Sequence, residues 1–143
     1  MRCRFRFEKL TVWQEARKYN GEVYRLTRTF PKEELFGMTS QLRRASTSIA
    51  SNIAEGSGRN SDRDFAHFLE QAYGSLMEVA SLLFLAADEG YVTENLLNVH
   101  LDKADQLARQ LASLNRSLSV EASKTPFPRR GPDSRPSTFD SRP

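Results

Sequence analysis

The chain of 143 residues contains one cysteine, Cys3, so no intrachain disulfide can close. That fits a reducing compartment. Histidine is nearly as scarce, with only His67 and His100. No apolar run approaches the length of a membrane span, and the opening Met-Arg-Cys-Arg-Phe-Arg lacks the apolar stretch of a secretory signal. Proline is confined almost wholly to the far end: Pro31 is the only one before residue 126. No segment alternates apolar and polar residues with the period of a strand. These absences point to a cytoplasmic, all-helical protein without membrane contact.

Two regions differ in composition. Residues 119–143 hold Pro126, Pro128, Pro132, Pro136 and Pro143 and almost no aliphatic side chains. Such a segment cannot bury enough apolar surface to offset the entropy of ordering, so a disordered tail is expected. Residues 1–118 are long enough for one domain with a substantial core. Charge is also unevenly placed. Residues 1–63 carry 13 Lys or Arg against 7 Asp or Glu, a balance of +6, whereas residues 64–118 carry 3 against 8, a balance of −5. Segregation of this kind favours association between copies, or steers a polyanion to one side.

Four helices account for the domain. The first spans about Glu8 to Thr29, with Leu10, Val12, Trp13, Ala16, Val23, Leu26 and Phe30 near helical spacing; Phe30-Pro31 ends it. A short turn at Pro31, with Glu33 and Glu34 near its positive end, leads into the second. Leu35, Met38, Leu42, Ala45, Ile49 and Ile53 carry its stripe to Glu55, and Gly37 is a point of division. Ser61-Asp62-Arg63-Asp64 resembles a capping box for the third, whose stripe runs from Phe65 to Ala86 and stops at Gly90, a left-handed cap. Thr93 caps the fourth, which runs from Glu94 to Leu118. Short links between helices of matched length force antiparallel neighbours. The fold expected is an antiparallel up-down-up-down four-helix bundle over residues 1–118.

Reactive constellations are missing. Asp64-Phe-Ala-His67 imitates half of the Glu-x-x-His motif that builds di-metal sites in bundles, but His100 follows Leu97, so the second half is absent. Both histidines read as surface or boundary residues. The serines lack a base held by a third group. No catalytic residue, cofactor or metal is expected. Gly56-Ser57-Gly58-Arg59 precedes a helix N-terminus, where free N–H groups favour anions, and Arg59 and Arg63 flank it. A phosphate loop needs a preceding strand and a longer glycine pattern, so the corner reads first as a helix stop followed by a capped start. If helices two and three fold back about residue 59, Arg43 and Arg44 lie near Gly74 and Ser75. A mid-helix glycine costs up to about 1 kcal/mol, so close approach of helix two would explain Gly74, and Arg44 would pair with Glu78. Arg43, Arg44, Arg59 and Arg63 are the nucleic-acid or interface candidates.

At these residues the chain resembles the four-helix proteins encoded by intervening sequences within bacterial 23S rRNA genes. The matching stretches are FEKLTVWQEA at 7–16, VYRLTRTFPKEELFGMTSQLRRASTSIASNIAEGSGR at 23–59 and DFAHFLEQAYGSLMEV at 64–79. Members often carry proline where this chain has Ala50, so a kink in helix two does not carry over, and the Pro-rich tail has no counterpart. The resemblance implies a four-helix protomer assembled as a homopentamer and no catalytic residues. It also implies kinship with accessory proteins of diversity-generating retroelements, basic pentamers that bind a reverse transcriptase and RNA or DNA. Asn52, Glu55, Gly56 and Arg59 are the motif positions it carries over, for hairpin geometry or subunit contact. A place in the ribosome does not follow from the family's name. Nine aromatic residues, among them Tyr19, Phe36, Tyr73 and Phe84, exceed what one bundle seam holds, which independently favours a second, interfacial face.

Overall fold

A computed structural model describes residues 2–123 of the chain. A 3-10 turn at Arg6–Lys9 leads into α1, Thr11–Thr27, and a second 3-10 turn at Lys32–Glu34 precedes α2, Met38–Ser57. Two longer helices follow, α3 at Asp62–Asp88 and α4 at Glu94–Ser123. Helix α4 therefore continues past Leu118, where the sequence reading ended it, and the expected tail, residues 119–143, is described only as far as Ser123. Residues 124–143 lie outside the described residues. No helix among the described residues is long and apolar enough to cross a membrane.

The helix ends follow local chemistry. The Glu34 carboxylate accepts the Met38 N–H at 2.9 Å, capping α2, while Gly37 separates the preceding turn from the helix. Ser61 Oγ accepts the Asp64 N–H at 3.1 Å, and Thr93 Oγ1 accepts that of Leu96 at 3.2 Å. Gly90 has φ of 78°, and the next N–H, from Tyr91, bonds back to Ala86 O at 2.9 Å. That is the left-handed cap in which glycine carries no Cβ penalty.

Cross-helix contacts run antiparallel around the bundle. Ser48 faces Ser75 across α2–α3 at 2.9 Å between hydroxyls. Arg43 Nε donates to Thr27 Oγ1 at 2.9 Å across α1–α2, and Lys103 Nζ sits 2.9 Å from Glu22 Oε2 across α1–α4. The stripes read from the sequence meet in one core: Val12, Ala16, Val23, Leu42, Ile49, Ile53, Phe65, Leu69, Leu76, Leu83 and Leu111 are all buried in it. Each of these side chains larger than alanine contributes roughly 1.5–3 kcal/mol of apolar burial before entropy is counted. Packing is most extensive between α2 and α3 and least between α1 and α4.

One expectation about glycine is corrected. Gly74 is exposed, and a Cβ placed there would meet nothing within 4 Å, so no neighbour within the protomer requires glycine. The close approach is at Gly56 instead. A Cβ there would lie 2.6 Å from Phe68 Cβ and 2.9 Å from Phe65 Cδ1. The reasons are helical phase and register: Gly74 stands on the side of α3 away from its buried stripe of Leu69, Ala72, Leu76 and Val79, and the Ser48–Ser75 contact places the fold-back beyond residue 59, so that Ser48, not Arg43, lies opposite Ser75.

Candidate interaction surface

The α2–α3 corner is built from its own residues. Ser57 turns its hydroxyl onto Ala54 O at 2.8 Å, and the Gly58 N–H reaches Glu55 O at 3.2 Å, closing α2. Arg59 pairs with Glu55 at 3.1 Å and lays its guanidinium over the Phe68 ring, 4.6 Å from the centroid. Arg6, from the first 3-10 turn, reaches the same corner: it donates to Ser57 O at 3.3 Å and stands 5.2 Å from the Phe65 ring centroid. An arginine stacked on an aromatic face is stabilised by the ring quadrupole and by packing. These contacts explain Arg59 as a clasp across the hairpin. Arg63 is exposed.

The other arginine pair sits about 22 Å away along α2 at 1.5 Å per residue. Arg43 lies over Tyr24, 4.7 Å from the ring centroid, besides its bond to Thr27. Arg44 is exposed and forms no ion pair with Glu78, which is also exposed. The expected Arg44–Glu78 link is therefore absent, because two solvated side chains gain too little from pairing to offset the entropy of holding them together. Asn52 is occupied locally, donating to Ser48 O at 2.8 Å and Ser48 Oγ at 2.9 Å. The four arginines thus form two separate pairs rather than one patch. Arg44 borders an open groove of about 800 Å³ along α2, whose edge includes Phe36 and Tyr24.

The α1–α4 seam carries the most polar interior. His100 is 7% exposed, which corrects its reading as a surface or boundary residue, and its Nδ1 has no hydrogen-bond partner. Its carbonyl accepts from the buried Tyr19 hydroxyl at 3.4 Å, and burial pushes that phenol's pKa well up. Burial likewise lowers the His100 pKa, Lys103 adds to that, and Glu22 opposes it. His67, by contrast, is exposed beside Gln71. No group of three metal-ligating side chains occurs among the described residues.

The His100 shift has a stability consequence. Folded His100 holds its proton less tightly than the imidazole of the unfolded chain, whose pKa is near 6.5. The unfolded state therefore takes up that proton first, and stability present above about pH 6.5 declines as pH falls through the lower folded value. Thermal melts between pH 7.5 and 5 should show a falling midpoint, and His100→Gln should flatten that slope. An unchanged slope in the variant would assign the effect to other groups.

Residues 8–113 match the profile of the 23S rRNA-intervening sequence protein family. The chain belongs to that family. A crystal structure of a protein of unknown function from the S23 ribosomal protein family of Bacteroides thetaiotaomicron is similar in fold, with a TM-score of 0.69. The likeness covers 73% of this chain and 95% of that one at 24% sequence identity. No curated protein matches the sequence significantly. The intervening-sequence family match takes in α1, α2, α3 and most of α4, hence both arginine pairs, the Gly56 corner and the His100 seam.

Proposed function

We propose that this intervening-sequence protein is a non-enzymatic, homo-oligomeric four-helix scaffold or accessory factor, pentameric as the family resemblance implies, that associates with nucleic acid in the cytoplasm. The observation that carries the reading is the coincidence of segregated charge, +6 over residues 1–63 and −5 over 64–118, with large apolar side chains left in water. Phe36 is 93% exposed, and Tyr73, Met77 and Phe84 are each more than 40% exposed. Large apolar side chains clustered on an exposed helix face, as Tyr73, Met77 and Phe84 are on α3, mark contact with other macromolecules. The polar side chains of the hairpin are already engaged: Asn52 and Ser57 bond within α2, and Arg59 pairs with Glu55 while lying on Phe68 of α3.

A second reading, a protein-interaction module such as a reverse-transcriptase accessory without nucleic-acid contact of its own, is favoured by one observation. Arg43 and Arg59 already lie on aromatic rings. Light scattering of the purified chain and a salt series of RNA binding decide between them. If Arg43, Arg44, Arg59 and Arg63 each neutralise one phosphate of single-stranded RNA, log K should fall against log salt with a slope of about −3. Binding that is absent, or flat in salt, supports the module reading.

A further inference from the structure

The α2 groove and the outer face of α3 are complementary in shape, length and charge. Along α2 the groove is lined by the small side chains Ser40, Thr47 and Ser51 on one helical face with Arg44 between them, and Tyr24, Phe36 and Glu55 also border it. The exposed face of α3 carries large ones, Tyr73, Met77 and Phe84, beside Glu70 and Glu78. Each stripe covers eleven residue steps, Ser40 to Ser51 and Tyr73 to Phe84, or about 17 Å of helix. Ser40, Arg44, Thr47 and Ser51 repeat at three- and four-residue spacing, and Tyr73, Met77 and Phe84 at four and seven, so each set runs along one side of its helix, where the knobs of one helix can enter the holes of another.

Charge points the same way. Helix α3 bears no basic residue after Arg63, whereas α2 bears no acidic residue before Glu55. Among the described residues, Arg44, Glu70 and Glu78 take part in no ion pair within the protomer. Gly74 lies between the large residues of α3, and the space where its Cβ would stand is open. A mid-helix glycine with no reason inside the protomer is accounted for by a backbone that comes close from outside.

The geometry points to the α3 face of a second copy of this chain as the occupant of the α2 groove, with Arg44 of one copy facing Glu70 and Glu78 of the next. The contact joins two different patches, so each copy keeps one free patch for a further neighbour, and the assembly grows head to tail until it closes. This rests on the homo-oligomer reading above and names the surfaces that would build it.

The test is a charge swap, read by light scattering, with circular dichroism as a check on folding. Arg44→Glu and the double variant Glu70→Arg/Glu78→Arg alter only exposed, unpaired side chains, so both should stay helical. Each alone should shift the wild-type assembly to smaller species at equal concentration. Combined in one chain, the three reversals should recover the wild-type mass, since every groove then meets a stripe of opposite sign on its neighbour whatever the number of copies in the ring. Gly74→Trp, which fills the open space on α3, should reduce the mass and should not be rescued by Arg44→Glu. An assembled wild type whose mass neither reversal changes would overturn these surfaces and leave the oligomer reading intact. A wild type that stays monomeric at all concentrations would overturn both.

Discussion

Gly56→Ala is expected to destabilise the protein, although the same change in an unhindered helix stabilises by up to about 1 kcal/mol. The added methyl would stand 2.6 Å from Phe68 Cβ and 3.3 Å from Phe65 O. Neither atom is the far end of a flexible side chain. Relief therefore requires α2 and α3 to separate, and that separation loosens the most extensive helix–helix interface in the bundle. Overpacking of this kind costs about 1–3 kcal/mol. The melting midpoint should fall by several degrees, and larger residues at position 56 should fall further still. Denaturant titration of Gly56→Ala gives the number directly. A variant as stable as the wild type would show that the two helices pack less closely at this corner than the structure has them.

The contrast between Gly56 and Gly74 shows what could be read without coordinates. Caps were legible because their chemistry is local: Ser61, Thr93 and Gly90 need only the residues a turn away, and all three cap as expected. The four-helix architecture was legible because each stripe repeats over many turns, and the family resemblance pointed the same way. The close contact at Gly56 was not, because it depends on where α2 and α3 fold back, whereas the exposure of Gly74 was within reach, since that residue stands away from the stripe of Leu69, Ala72, Leu76 and Val79. The absent Arg44–Glu78 link has a different cause, since opposition along the axis does not make two solvated side chains pair. His100, in contrast, was within reach. It follows Leu97 by three residues and precedes Ala104 by four, which places it on the buried stripe of α4, and Tyr19 holds the same relation to Ala16 and Val23. A polar or bulky residue at a stripe position is a buried residue until shown otherwise, and the spacing carried that signal.

The candidate surface was legible only as a list of types. Arg43, Arg44, Arg59 and Arg63 were picked because arginine binds anions well. Their separation into two pairs, and the aromatic seats of Arg43 and Arg59 on Tyr24 and Phe68, follow from packing between helices. No spacing within one helix encodes that. The surplus of aromatic residues was countable in advance, however. It is resolved as expected, with Tyr19 and Phe65 in the core and Phe36, Tyr73 and Phe84 in water.

Phe65→Ala should have the largest effect of any single change at the corner. The ring is 1% exposed, and it packs beneath Gly56 while supporting the Arg6 guanidinium at 5.2 Å. Truncating a buried phenylalanine leaves a cavity and costs about 3–5 kcal/mol, a large share of the roughly 5–15 kcal/mol that holds a domain folded. Loss of the ring also removes one of the two contacts by which Arg6 anchors the N-terminal turn, the other being its bond to Ser57 O. Limited proteolysis near residues 2–9 should therefore accelerate in the variant, beyond what its lower global stability predicts. Coupling to Gly56 gives a sharper test. With Phe65→Leu the 2.9 Å obstruction at Cδ1 is eased, so Gly56→Ala should cost less in that background than in the wild type. The rescue should be partial, because the nearer atom, Phe68 Cβ, is untouched. Strict additivity of the two changes would mean that the Phe65 ring does not limit the approach of α2, and that Phe68 alone does.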